Sequence, residues 1–312
     1  MRLPRSEAAG TLAENRGFVE FPRSPEVTEG SVQRLPEPRH GNAIAASVNA
    51  AIGEHVRLHV GEARALEHDA THDVGGPVGL SEVTVDLANA KPVTIAIGGA
   101  RAVSGLLHVP PRARSCLVLA HGAGAGMAHP FLEAVAAGLA SRGIATLRYQ
   151  FPSMEAGNRR PDPPVLAHAA VRAAVAEASR LTPSLALFAG GKSFGGRMTS
   201  QAQAASPMPE VRGLVFLGFP LHPAGRPSAD RGRHLFDVRI PMLFLQGTRD
   251  ALADLRQLEP LCERLGERAA LRLFRDADHS FHVPARSGRT DAEVRREVLD
   301  ALAAWTELVI SA

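Results

Sequence analysis

The chain has 312 residues, 45% of them hydrophobic and 21% charged, with a formal net charge of +3 and two cysteines, Cys116 and Cys262. That length supports one large domain or two ordinary ones and excludes a disulfide-stapled miniprotein. The 35 basic residues face 32 acidic ones, and without basic runs or interleaved aromatics they give no support to a nucleic-acid partner.

Residues 1–81 read as an extension without a fold of its own. The first 80 carry 8 Arg and no Lys against 11 Asp and Glu, and five prolines fall within the first 40, a composition that resists packing. Ile44, Val48, Ile52, Val56 and Val60 form an i, i+4 series, which marks a short helix over 43–60. No apolar h-region follows the first arginines and no stretch reaches 18 apolar residues, so neither a signal peptide nor a membrane span is expected. The two separated cysteines fit a reducing compartment, and the expected location is the cytoplasm.

From 82 to 312 short apolar runs alternate with amphipathic segments. Strands are expected at Val93 to Ile97, Ala102 to Val109, Cys116 to Ala120, Ile144 to Leu147, Leu185 to Phe188, Leu214 to Leu217, Met242 to Leu245 and Leu271 to Phe274. Pro130 at a first helical position opens a helix with Phe131, Val135 and Leu139 on one face. Val171 and Val175 mark a second helix. Thr290 with Glu293 forms a capping box ahead of Val294, Val298, Leu302, Trp305 and Val309. The alternation predicts an α/β fold: a mostly parallel sheet, antiparallel at its leading edge, with helices on both faces.

Two glycine-rich loops follow strands. The first, His121 to Met127, lacks a dinucleotide fingerprint, because Met127 stands where a glycine is needed and Arg148-Tyr149 where an acidic residue should close the next strand. The second ends in Gly191-Lys192-Ser193 like a phosphate loop, but Ala186 replaces the required first glycine and lies inside a strand. What fits is Gly191-Lys192-Ser193-Phe194-Gly195, the G-x-S-x-G turn that lifts a serine above a sheet edge. Such a serine needs a base and an orienting acid. Asp250 and His279 follow later strands in that order, so Ser193, Asp250 and His279 are the expected catalytic residues.

Asp254 and His282 are the competing acid and base. Asp254 is expected instead to begin a helix, and His282 to lie in the cleft or on the surface; Asp276 and Asp278 are read as turn residues. His121 is assigned a structural role in the first loop. The oxyanion donors are expected to be the backbone amides of Phe194 and Ala123. Met127, Arg197 and His222 are candidate substrate contacts. His55 with His59, and His68 with His72, have metal-like spacing but lack a helical Glu; no metal and no cofactor are expected.

LVLAHGAGAGMAHPF (117–131), RYQFPSMEAGNRRPDPP (148–164), GGKSFGGRM (190–198), FLGFPLHPAGRP (216–227), LFLQGTRDALA (243–253) and DADHSFHVP (276–284) together resemble the α/β-hydrolase superfamily. Within it the chain is similar to the dienelactone-hydrolase-like branch that includes a testis-expressed protein and a subunit of the chromatin-associated NSL complex. The resemblance implies an eight-stranded sheet with a minimal cap between Leu221 and Asp237, and carries Ser193, Asp250 and His279 over as the triad. Ser153 departs from the family, which would place an aromatic residue there. Ser193 departs from true dienelactone hydrolases, whose nucleophile is a cysteine. The function expected is hydrolysis of an ester, thioester or related acyl bond in a small molecule through an acyl-enzyme. The alternatives are a non-catalytic interaction scaffold on the same fold and a cofactor-free perhydrolase.

Overall fold

The computed structural model describes residues 90–312; the helix expected over 43–60 and the extension assigned to 1–81 lie outside them. Two strands lead, β1 (Lys91–Gly98) and β2 (Arg101–His108), followed by β3 (Ser115–Ala120). Next come α1 (Pro130–Ala140), β4 (Ile144–Tyr149), a one-turn α2 (Pro152–Glu155) and α3 (Pro164–Leu181). The turn at Ser193 joins β5 (Ala186–Lys192) to α4 (Phe194–Ala205). The remainder is β6 (Val211–Leu217), β7 (Met242–Gly247), α5 (Leu255–Leu265), β8 (Ala269–Phe274) and α6 (Asp291–Ser311). Between β6 and β7 the chain adds only a 3₁₀ segment, Asp230–Asp237, so the cap is as small as expected.

Among the described residues the eight strands form one sheet in the order β1-β2-β4-β3-β5-β6-β7-β8. β1 and β2 pair antiparallel, as do β2 and β4, and the pairs from β4 to β8 are parallel. Each expected strand is present. The central ones read as near-continuous apolar runs because both faces are covered: β3, β4 and β7 are buried at every residue.

Alternation along the strands splits the core. On one face Leu117, Leu119, Val215, Leu217, Leu243 and Leu245 pack against Leu132, Val135 and Leu139 of α1 and Val298, Leu302 and Trp305 of α6. On the other, Val118, Leu147, Phe216 and Phe244 meet Ala167, Ala170 and Ala174 of α3, Met198 and Ala202 of α4, and Leu258 and Leu261 of α5. The alanines of α3 bring that helix close to the strands with little side chain between.

The caps read from the sequence are in place. Pro130 opens α1, with the His129 ring accepting from the Phe131 amide at 3.2 Å. Thr290 and Glu293 close a full capping box on α6. Asp254 caps α5 by accepting from the Arg256 amide, as its alternative reading required.

The order of strands reverses around β3, whose neighbours β4 and β5 lie on opposite sides. Ala120 at the end of β3 is paired with Gly191 near the end of β5. The two glycine loops therefore emerge side by side at the carboxyl edge, at a topological switch point where ligands bind in open α/β sheets.

Candidate active site

Ser193 sits between β5 and α4 at φ 50° and ψ −113°, a left-handed conformation that non-glycine residues avoid and that costs about 1–3 kcal/mol. The surrounding contacts hold it there. A Cβ at Gly191 would collide with the Ala120 carbonyl, and one at Gly195 would lie 2.6 Å from the His121 carbonyl, so only glycines let β5 and α4 approach β3 this closely. The Ser193 amide donates to the Leu217 carbonyl at 3.2 Å, anchoring the turn to β6.

The structure brings together the three residues drawn from three strand ends. Ser193 Oγ is 2.8 Å from His279 Nε2, and His279 Nδ1 is 2.6 Å from Asp250 Oδ2. The arrangement requires the Nδ1–H tautomer, which leaves Nε2 to accept the serine proton. The Asp250 side chain is fully buried. Its Oδ1 accepts from the Leu252 amide at 2.8 Å and its Oδ2 also accepts from Gln246 Nε2. Gln246 in turn accepts from the Phe219 amide at 2.9 Å. Sequence reasoning missed Gln246; its signal was a polar residue closing an otherwise apolar buried strand.

Neither competitor joins this chain. Asp254 is spent on the α5 cap. His282 is exposed, with Nδ1 2.9 Å from Asp291, and that carboxylate raises its pKa. Asp278 accepts from the Ser280 and His282 amides, as a turn residue does, and Asp276 adopts a positive φ of 61°.

The first glycine loop is braced from below. His121 is buried; its Nδ1–H donates to the Gly122 carbonyl at 2.7 Å and its Nε2 accepts from the Phe151 amide at 3.0 Å. Burial lowers its pKa, which keeps the ring neutral and able to accept. Met127 is held at both ends: its amide donates to Gln150 Oε1 at 3.0 Å, and its carbonyl accepts from Arg148 Nη1 at 3.0 Å. Arg148 and Gln150 are thus loop supports that the sequence reading did not assign. Ser153 replaces an aromatic residue with a polar tie: its hydroxyl donates to the buried Asp162 at 2.7 Å, and its amide donates to the same carboxylate. Among the described residues, the Phe194 and Ala123 amides donate to no backbone carbonyl outside regular helices and strands. Phe194 stands at the first turn of α4, where the helix dipole favours negative charge.

The three expected substrate contacts fare differently. Met127 is half-buried at the end of the first loop. Arg197 is half-buried one turn into α4, its guanidinium 6.0 Å from the centre of the Phe194 ring. Burial and the nearby Arg231 lower its pKa. His222 is not at a mouth: it is 2% exposed, its Nδ1–H donates to the Pro223 carbonyl at 2.9 Å, and its Nε2 accepts from the Asp254 amide at 2.7 Å. Both ring nitrogens are consumed in joining the cap segment to the start of α5. It supports the structure and is not free to bind substrate.

Comparison with known proteins agrees with this architecture. An alpha/beta hydrolase domain family matches residues 113–307, more than half of the chain. A dienelactone hydrolase from Anabaena variabilis superposes with a TM-score of 0.56 at 21% identity, covering 70% of this chain and 96% of its own. A lid-less α/β serine hydrolase from Xanthomonas campestris gives 0.54 at 22%, covering 69% and 94%. An esterase domain from Rhodothermus marinus gives 0.54 at 18%, covering 70% and 97%. At these identities the structural likeness establishes the fold, and the matched segment spans the sheet from β3 onward with all three residues of the Ser-His-Asp chain. The chain belongs to the alpha/beta hydrolase domain family.

Proposed function

We propose that this protein is a serine hydrolase cleaving an ester, thioester or related acyl bond by way of an acyl-enzyme. The observation that carries the reading is the continuous hydrogen-bonded path from Ser193 Oγ through His279 to the buried Asp250, at 2.8 and 2.6 Å. His279 Nε2 takes the serine proton as Oγ attacks the acyl carbon. The carbonyl oxygen becomes an oxyanion, for which the Phe194 and Ala123 amides are the donors. His279 then delivers its proton to the departing alcohol or thiol. Water, deprotonated by the same ring, attacks the acyl-enzyme and releases the acid with Ser193 restored. Asp250 stays ionised throughout, holding the tautomer and stabilising the imidazolium.

Met127 and Arg197 remain the proposed substrate contacts. The small cap suits a shallow, open cleft for a small-molecule acyl substrate. The reducing cytoplasm remains the proposed location: Cys116 and Cys262 are free, buried thiols, each pushed up to about 12 by burial. Among the described residues no helix is long and apolar enough to cross a membrane.

The test is covalent labelling with a fluorophosphonate. Wild-type protein should be labelled and Ser193→Ala should not. Absence of labelling in the wild type, or labelling that survives the substitution, overturns the reading and leaves a non-catalytic scaffold as its successor.

A further inference from the structure

The sequence uses arginine 33 times and lysine twice, at Lys91 and Lys192. One of those two lysines is the residue immediately before the nucleophile. Its side chain turns inward instead of snorkelling to solvent: Nζ donates to the backbone carbonyl of His279 at 2.5 Å and lies 5.8 Å from the centre of the Phe281 ring. Its stem runs past Gly122, and its ammonium fills the space over Gly218, where a Cβ would come to 3.0 Å of Nζ. The side chain therefore spans from the β5 turn to the loop after β8, beneath the groups that would react.

We propose that Lys192 is a positioning residue of this site, tying the nucleophile turn to the His279 backbone and holding a positive charge beside Asp250. The proposal rests on the serine hydrolase reading and adds a fourth side chain to it.

Two physical arguments favour this over a chance burial. Ser193 and His279 come from separate strand ends, 86 residues apart in sequence, and their alignment depends on two loops keeping register. A misplacement of about 1 Å costs on the order of 100-fold in rate, and the Lys192 bridge is a direct side-chain tie between those loops. The second argument is charge. Asp250 is a fully buried carboxylate, and Lys192 brings a compact ammonium within Coulombic reach of it. A planar guanidinium needs a fork-shaped set of acceptors, whereas here one carbonyl and the gap over Gly218 suit a point charge. In a chain otherwise written with arginine, lysine at 192 matches the space available.

The charged groups acting on Lys192 are Asp250, from the turn after β7, and Asp278, from the loop after β8; His279 is the titratable ring whose carbonyl it holds. Burial pushes the Lys192 pKa down and the two carboxylates draw it partly back up, so that it comes to about 8. Its ammonium is therefore present below that pH and lost above it.

The experiment is the pH profile of fluorophosphonate labelling for wild type, Lys192→Met and Lys192→Gln, with folding checked by circular dichroism. Wild type should label fastest near neutrality and decline as pH rises through about 8. Lys192→Met should label about 100-fold more slowly, with no alkaline decline. Lys192→Gln, which keeps a donor but no charge, should regain part of the rate without regaining the alkaline decline. A wild type that labels alongside a Lys192→Met that labels equally fast with the same alkaline decline overturns the proposal and leaves the hydrolase reading standing. If Lys192→Met does not fold, Lys192→Gln decides: wild-type rate and alkaline decline in that variant overturn the proposal. A wild type that never labels removes the hydrolase reading and the proposal together.

Discussion

Three donors converge on the buried Asp250 side chain: His279 Nδ1–H, the Leu252 amide and Gln246 Nε2. Gln246 has two duties, since its carbonyl also accepts from the Phe219 amide. Gln246→Leu should leave both partners short of a hydrogen bond inside the protein. The expected cost is about 1–3 kcal/mol of stability, read as a lower urea midpoint, together with slower labelling of Ser193. An unchanged midpoint would mean that water or a neighbour replaces the amide. The hydrogen-bonded chain of Ser193, His279 and Asp250 was legible at this scale because the three residues follow strand ends in a fixed order. Gln246, Arg148, Gln150 and Lys192 were not, because what they do depends on atoms brought near by other strands. His222 was misread for the same reason: a histidine after a strand looks available until the Pro223 carbonyl and the Asp254 amide are seen to occupy it.

At the level of elements, apolar runs located all eight strands, but their ends did not follow from hydrophobicity. β6 begins at Val211 and β8 at Ala269, two or more residues before the apolar runs that marked them, since backbone pairing continues through positions whose side chains are small or polar, as at Gly213, Ala269 and Ala270. The one-turn α2 was missed because four residues are too few to show a period. The terminal helix α6 was fully legible, and it can be tested. Trp305 is 1% exposed, meets the Phe188 ring edge-on at 5.7 Å and lies over Gly213, where a Cβ would come within 2.6 Å of its ring. Trp305→Ala should destabilise the fold by about 3–5 kcal/mol, measured by denaturant unfolding. A loss below about 1 kcal/mol would mean that α6 contributes little to the packing of β5 and β6.

For the whole molecule, one buried and two half-buried histidines should set the response to acid. His121, His168 and His234 all have pKa values lowered first by burial, His234 to about 4, with Arg197 and His168 adding repulsion. A base whose folded pKa lies below its unfolded value of 6.5 binds protons more readily when unfolded, so stability should rise with pH from about 4 to 6.5. His282 works in the opposite sense: its pKa is raised by Asp291, so its contribution is present below 6.5 and lost as pH rises through the folded value. That pair is exposed and screened, so the less exposed rings of His121, His168 and His234 should prevail. The midpoint of thermal unfolding should fall between about pH 7 and pH 5, and His234→Gln should flatten that fall. An equally steep fall in His234→Gln would assign the acid sensitivity to other groups.

The shortage of lysine has a practical consequence. Lys91 is exposed on the edge strand β1, while Lys192 is turned inward against His279. Among the described residues, amine-directed coupling should therefore attach a dye or a solid support at Lys91, several strands away from Ser193. The carboxyl edge of the sheet would then remain open to substrate on an immobilised protein.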